Sequence, residues 1–118
     1  MSPKRLDNVA PPPVGREWSV RFGTAEAAKG WEQLWSHSAV KTREAFEMMR
    51  DNPRPPEDEN HYRLRGDLGT RSIGGKILEQ WQVKAGGSAR VWYLPDDDKR
   101  TVWVVLASVA HPKETEKR

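Results

Sequence analysis

Arg90 is the residue of this sequence whose type and position best suit chemistry. It lies in the apolar run 89–94, Ala-Arg-Val-Trp-Tyr-Leu, which alternates as a β-strand does. A buried, unpaired guanidinium is costly, so Arg90 either pairs with a carboxylate, with Glu79 across a hairpin as the candidate, or faces an anion. A planar guanidinium binds two oxygens of a phosphate and offsets the charge that develops during phosphoryl chemistry. The sequence therefore predicts either an ion pair or a phosphate clamp.

His111 and Lys113 follow the last apolar run of the chain, residues 101–109. Histidine has a side chain that can take up or release a proton near neutral pH, so His111 is a candidate acid or base. The alternative is a histidine that is merely exposed at a strand end. Lys113 is either a phosphate contact or part of a charged tail. His37 and His61 have no spacing typical of a ligand set, so we predict no metal site.

The positive charge of the chain is concentrated in its second half. Residues 1–60 hold nine Lys and Arg against ten Asp and Glu, whereas residues 61–118 hold eleven against seven. A basic surface of this kind suits a polyanion such as nucleic acid, although a solvated Lys/Arg face is the alternative. The candidates for an anion groove are Arg71, Lys76 and Lys84, joined by Arg63 and Arg65.

Two tryptophans flank these basic residues, and each has two possible roles. Alternation places Trp81 in the core. Trp92 shares a face with Arg90, where it could stack on a base or pack in the core.

The bulk composition restricts the classes of protein to consider. A chain of 118 residues with six Trp and no Cys predicts one folded domain without disulfides or thiolate metal sites. No apolar run is long enough for a membrane span, and the first residues lack the apolar region of a signal peptide. The expectation is therefore a cytoplasmic protein with no membrane partner.

The first half of the chain predicts an arm, a strand and two helices. Residues 1–15 are rich in Pro and read as a flexible arm, which leaves 16–118 as the single domain. Residues 16–22 alternate as a strand. Thr24 is a suitable N-cap for a helix that breaks at 36–38, and a second helix ends before Asn52-Pro53. So short a link predicts a helical hairpin.

The second half predicts a meander of strands. A short strand at Tyr62 and Leu64 precedes glycine-marked turns over 66–75, and alternation resumes from Lys76 to Lys84. Turns at 85–88 and 96–99 then separate the last strands, and the run 102–109 is apolar on both faces, as in a central strand. The fold class is therefore α+β: a mainly antiparallel sheet of four to five strands with an N-terminal helical hairpin packed on it.

Taken in order, these elements resemble the RelE/ParE toxin superfamily of bacterial toxin–antitoxin systems, over about residues 16–116. The resemblance rests on the helix pair with Trp31 and Leu34 and on three short segments. These segments are Tyr-Arg-Leu-Arg-Gly-Asp-Leu at 62–68, Ala-Arg-Val-Trp-Tyr at 89–93 and His-Pro-Lys-Glu-Thr at 111–115.

The resemblance implies a compact, microbial-ribonuclease-like fold of the RelE branch that inhibits translation by cutting messenger RNA. The resemblance implies in-line attack of the ribose 2′-OH without a metal or cofactor, with the ribosome and a cognate antitoxin as partners. Arg90 matches the family's mid-strand arginine and His111 its post-strand catalytic position. Lys84 and Arg71 match basic residues of the neighbouring strand and loop. The superfamily also contains gyrase inhibitors, so a ParE-like inhibitor or an inactive toxin-fold protein is the alternative, and a general RNA-binding module is a third.

Overall fold

The computed structural model describes residues 3–9 and 11–110, which form an α+β domain. The elements follow in the order β1 (Ser19–Phe22), α1 (Ala25–His37), α2 (Ala39–Asp51), β2 (His61–Arg63), a 3₁₀ turn (Gly66–Gly69), β3 (Thr70–Ile73), β4 (Lys76–Glu79), β5 (Trp81–Lys84), β6 (Arg90–Asp96) and β7 (Thr101–Ser108). The predicted fold class, two helices and a mostly antiparallel sheet of five strands, is confirmed.

The helices begin and end where their capping residues dictate. The Thr24 hydroxyl accepts a hydrogen bond from the Ala27 N–H and so caps α1. Ser38 ends α1 and caps α2, because its Oγ accepts from the Lys41 N–H. The break predicted at 36–38 is thus a single residue. Within the described ranges, neither helix is long and apolar enough to cross a membrane.

The five-stranded sheet has the order β1-β7-β6-β5-β2. Only the β1–β7 pair is parallel, and the other three pairs are antiparallel. The predicted central position of the last strand is confirmed, since β7 lies between β1 and β6. Its residues Val102, Val104 and Val105 are buried.

The two faces of the sheet are covered by different elements. Both helices pack on one face, where Val91 and Tyr93 of β6 join the larger core. Trp92 and Leu94 point to the opposite face and form a smaller core that the β3–β4 hairpin covers with Leu78. A register shift opposite Trp92 and Tyr93 lets β7 present more residues to this second face. The division of β6 into two faces is as the sequence predicts.

The β3–β4 hairpin corrects the sequence prediction for residues 66–84. The segment read as turns contains β3, and the run from Lys76 to Lys84 is two strands rather than one. The chain leaves the hairpin at Gln80, whose N–H donates to the Gly69 carbonyl. Ile77 is consequently 76% exposed, although unbroken alternation from Lys76 to Lys84 would put it on the same face as the core residue Trp81.

The N-terminal arm, predicted to be flexible, runs along the outer edge of β1. The N–H groups of Leu6 and Val9 donate to the carbonyls of Phe22 and Val20, and Phe22 N–H donates to Asp7. Val9 is buried in the larger core. The arm thereby satisfies backbone groups that an edge strand leaves unpaired.

Candidate anion-binding site

Two rows of side chains cross the face of the sheet that lies opposite the helices. One row joins the direct strand partners Lys84, Arg90 and Ser108 of β5, β6 and β7. The other row, two positions along each strand, comprises Tyr62, Gln82, Trp92 and Leu106. Since residues i and i+2 of a strand are about 6–7 Å apart on the same face, the two rows adjoin. We call this surface the Arg90 face.

Arg90 is buried, with 7% of its surface exposed. Its Nη1 donates to the carbonyl oxygens of Gly87 (2.8 Å) and Ala89 (2.9 Å), which belong to the turn between β5 and β6. Its Nε has no hydrogen-bond partner within the described part of the chain. The guanidinium therefore braces the turn with one nitrogen and leaves another unsatisfied.

The charge of Arg90 is not balanced by a carboxylate among residues 3–9 and 11–110. The contacts of its Nη1 are with neutral carbonyls. Its strand partner Lys84 is half-buried and forms no described ion pair either. Side chains directly opposite in an antiparallel pair have Cβ atoms about 4.5–5.5 Å apart, and like charges there are destabilising. Such a pair of cations gains stability when an anion binds to both.

The ion pair between Arg90 and Glu79 that the sequence offered as one alternative is wrong. Glu79 Oε1 accepts from Trp81 Nε1 at 2.9 Å and from Arg54 Nε at 3.1 Å. The hydrogen bonds from Trp81 and Arg54 hold the pKa of Glu79 below its usual value, despite partial burial. Arg54 also binds Asp97 with both terminal nitrogens. The hairpin register places Lys84, not Glu79, opposite Arg90.

A chain of hydrogen bonds runs through the second row. Trp92 Nε1 donates to Gln82 Oε1 at 2.8 Å, and Gln82 Nε2 donates to the Tyr62 hydroxyl at 2.7 Å. An indole N–H can only donate, so it fixes the orientation of the Gln82 amide. The Tyr62 oxygen therefore accepts from Gln82, and its own proton is free for a ligand on the Arg90 face.

The predicted stacking of Trp92 on a base is not compatible with this structure. The Trp92 ring has 2% of its surface exposed and packs in the smaller core. A ring in that position has no accessible π-face. Its role here is to orient Gln82. Trp81, predicted to be a core residue, is buried against the helices.

Lys76 and Arg71 lie on the β3–β4 hairpin, outside the two rows. Lys76 Nζ lies 2.9 Å from Asp96 Oδ1 and 3.1 Å from Asp98 Oδ2. Hydrogen bonds that Lys76 donates to both carboxylates raise the pKa of Lys76, so its charge is already neutralised and is not offered to a phosphate. Arg71 is half-buried and is the strand partner of Leu78. Of the three predicted phosphate contacts that the structure describes, Lys84 is the one that lies beside Arg90.

His111 and Lys113 lie outside the described residues, so their predicted roles as acid or base and as phosphate contact stay predictions. In the part of the chain that the structure describes, no three His, Cys, Asp or Glu side chains are grouped so that they could hold a metal ion. The polar groups in the two rows of the Arg90 face are therefore two cations, the Gln82 amide, the Trp92 indole N–H and the hydroxyls of Ser108 and Tyr62.

Sequence reasoning missed the functional potential of Tyr62 and Gln82. The sequence predicted that each lies in a strand, Tyr62 in a short strand and Gln82 in the alternating run 76–84. Their pairing across β2 and β5 depends on a register that the intervening hairpin sets. No local signal in the sequence carries that register.

Comparison of the chain with protein-family models, with curated proteins and with solved structures found no match. A functional proposal therefore depends on the geometry of the Arg90 face and on the resemblance of the sequence to the RelE/ParE superfamily.

Proposed function

We propose that this chain is a RelE-type toxin that binds messenger RNA on the Arg90 face and cleaves it. The observation that carries the proposal is the pairing of Lys84 with Arg90 as direct strand partners without a described carboxylate. A backbone phosphate is the anion that such a pair fits, because a guanidinium and an ammonium can each hold a different oxygen.

The proposed reaction is transfer of a phosphodiester to the neighbouring ribose 2′-oxygen. The bond from the 2′-oxygen to phosphorus forms while the bond from phosphorus to the 5′-oxygen breaks, which yields a 2′,3′-cyclic phosphate and a 5′-hydroxyl. The 2′-OH loses a proton to a base, and the leaving oxygen gains one from an acid. Arg90 and Lys84 would stabilise the charge on the non-bridging oxygens.

Tyr62 is the proposed acid on the described part of this face. Its hydroxyl accepts from Gln82, so its proton points away from the amide and is available to the leaving oxygen. The base is assigned to His111, which the resemblance places in a catalytic position. The messenger substrate and the ribosome would place the activity in the cytoplasm, where a cognate antitoxin would neutralise it by covering the basic face.

The order of the elements supports the assignment to the RelE branch. A strand, two helices on one face of the sheet and an antiparallel meander follow one another, as the resemblance implies. The face opposite the helices carries the arginine that matches the family's mid-strand arginine.

A second function, that of a ParE-like gyrase inhibitor or an inactive toxin-fold binding protein, is favoured by one observation. The two rows of the Arg90 face contain no imidazole and no carboxylate, the usual proton acceptors. A binder needs only the cations, whereas an enzyme also needs a base.

The test is primer extension on a reporter messenger in a bacterial cell-free translation system. Wild-type protein should produce new 5′ ends that disappear with Arg90→Met and with His111→Ala. An intact messenger with normal protein synthesis would rule out the ribonuclease. A gyrase supercoiling assay on the same preparations then decides for or against the second function.

A matched control comes from Arg43→Met, because Arg43 is an exposed residue of α2 that pairs with Glu47. This variant changes the net charge as Arg90→Met does but leaves the Arg90 face intact. It should cut the messenger like wild-type protein, and all variants should keep the far-ultraviolet circular dichroism of the folded chain.

A further inference from the structure

A second polar cleft lies on the helix side of the turn between β5 and β6. Its volume is about 350 Å³, and its walls come from α2, from the residues before β2 and from the turn. The polar residues that line it are Lys41, Glu44, Asn60, His61 and Lys84, of which Lys84 has its side chain on the Arg90 face. It is distinct from the Arg90 face, because His61 is the strand partner of Val83, which points to the larger core.

His61 is held in one orientation at the wall of this cleft. The Asp58 carboxylate accepts from the N–H groups of Asn60 (2.7 Å) and His61 (3.0 Å), and these bonds hold the pKa of Asp58 below its usual value. The same oxygen lies 3.3 Å from His61 Nδ1. An ionised carboxylate can only accept, so Nδ1 carries the proton. Nε2 is left as the ring nitrogen for a ligand.

Gly86 packs closely against the side chain of Lys41, which only a residue without a Cβ allows. A Cβ built on Gly86 would lie 3.1 Å from Lys41 Cγ, and the backbone φ of +95° also favours glycine. The turn can therefore approach the stem of Lys41 and close the cleft on that side. The Lys41 ammonium has one described acidic contact, with Glu44 at 3.4 Å, and both side chains are more than half exposed. Exposed pairs at this distance contribute little, so this contact competes weakly with a ligand.

We infer that this cleft binds a nucleotide unit, with its phosphate on Lys41 and with its base donating to Nε2 of His61 beside the Asn60 amide. The Lys41 ammonium is the cation available to a phosphate, because its exposed contact with Glu44 is weak and the Lys84 side chain lies on the Arg90 face. A volume of about 350 Å³ lies within the range of pockets that enclose small organic ligands. The amide of Asn60 offers both donors and acceptors to a base edge.

The cleft adjoins the Arg90 face through the same turn. Lys84 lines the cleft and is the strand partner of Arg90, while Gly87 lines the cleft and accepts a hydrogen bond from Arg90. A strand of RNA bound at Arg90 can therefore continue around the turn into the cleft. This inference rests on the proposed function for the identity of the ligand, as the next nucleotide of the same strand.

The experiment measures binding of a 2′-O-methyl RNA hexanucleotide to the full chain. This probe lacks the 2′-OH nucleophile and cannot be cut. Lys41→Gln and His61→Gln should each weaken binding by about three- to tenfold, and Lys41→Gln should lower the slope of log affinity against log salt by about 0.7. The matched control is Arg43→Gln, whose residue lies on the same helix and pairs with Glu47 at the same 3.4 Å as the Lys41–Glu44 pair.

A structural readout accompanies the affinities. Binding of the hexanucleotide, and of adenosine 5′-monophosphate at higher concentration, should shift the NMR signals of the His61 ring and of the Gly86 and Gly87 amides. Shifts with the hexanucleotide but none with the mononucleotide would assign the cleft to strands rather than to free nucleotides.

The outcomes separate the cleft from the proposed function. If Arg90→Met abolishes binding while Lys41→Gln and His61→Gln behave like Arg43→Gln, the cleft is not a nucleotide site and the proposed function stands. If the cleft variants weaken binding and Arg90→Met does not, the cleft is a nucleotide site and the Arg90 proposal fails. Absence of binding to either probe overturns both.

Discussion

Lys84 and Arg90 are direct strand partners, so two cations lie side by side on one face of the sheet. Arg90 is buried and its Nε is unsatisfied within the described residues. Protein interiors disfavour this arrangement, because each cation raises the cost of the other. A fold that keeps it loses stability in the free state and recovers it when an anion binds.

The first prediction is that Arg90→Met removes RNA binding without loss of stability. Methionine fills a similar volume, and removing a buried charge that lacks an acidic partner is expected to leave the free energy of unfolding unchanged or to raise it by about 1–4 kcal/mol. Of the turn carbonyls that lose a donor, that of Gly87 belongs to an exposed residue, where water can replace it, and that of Ala89 keeps its hydrogen bond from the Ala85 N–H. Urea unfolding and binding of the hexanucleotide, measured on the same samples, check both parts.

A contrasting variant makes this prediction sharper. Arg50 is mostly buried but lies 3.3 Å from Glu17, so Arg50→Met leaves a carboxylate without its partner. It should destabilise the fold while leaving RNA binding intact. If Arg90→Met instead destabilises as much as Arg50→Met does, then Arg90 is mainly a brace for the turn.

The second prediction concerns Tyr62 as a proton donor. Tyr62→Phe should lower the single-turnover rate of messenger cleavage by about 10²- to 10⁴-fold, the usual contribution of a general acid, while affinity for the hexanucleotide stays within about twofold. Gln82→Leu should lower the rate less, because it removes the partner that orients the phenol and leaves the phenol itself. A rate unchanged by Tyr62→Phe would exclude the phenol from proton transfer.

Much of the fold was predictable because it depends on local signals. The Thr24 cap, the helix break that falls at Ser38 and the opposite faces of Val91 and Trp92 all follow from capping chemistry or from a period of two. Burial on both faces of β7 followed equally from its uninterrupted apolar run.

The errors arise where the outcome depends on distant parts of the chain. The run from Lys76 to Lys84 alternates throughout, but backbone bonds of Gln80 with Leu64 and Gly69 divide it between two sheets. Glu79 therefore forms its ion pair with Arg54 rather than with Arg90. The same holds for the candidate site. Arg90 was predictable because it is a charged residue in an apolar strand, whereas the residues beside it depend on the register of the sheet.

The third prediction is that Gly30→Ala strongly destabilises the protein. A Cβ on Gly30 would lie 1.9 Å from the Ala107 carbonyl oxygen, so α1 would have to move away from β7. Overpacking of this kind costs about 1–3 kcal/mol or more, which exceeds the gain of about 1 kcal/mol that alanine brings to a helix. Urea unfolding should show a lower midpoint. Lys29→Ala, at the exposed neighbouring position, should change stability by less than about 0.5 kcal/mol.

The fourth prediction is that the ion pair of Lys76 and Asp96 gives stability a defined dependence on pH. Burial opposes ionisation of Asp96, but hydrogen bonds from Lys76 and Trp103 hold its pKa below the ordinary 3.8. A depressed carboxyl pKa contributes stability that is complete above pH 3.8 and is lost as pH falls through the folded-state value. The pKa of Lys76 is raised from 10.5, so its contribution is complete below pH 10.5 and is lost as pH rises further.

The variant that tests this pair is Asp96→Asn. Between these limits it should unfold at lower urea concentration than wild-type protein, and the difference should narrow below pH 3.8 as the wild-type carboxyl becomes protonated. Asp98→Asn is the control, because Asp98 binds the same ammonium but its side chain is 83% exposed, whereas that of Asp96 is 3% exposed. Screening by water should make the Asp98 effect smaller at every pH. If the two variants lower the free energy of unfolding equally, burial of Asp96 does not strengthen its ion pair with Lys76. That ion pair links the β3–β4 hairpin to the five-stranded sheet.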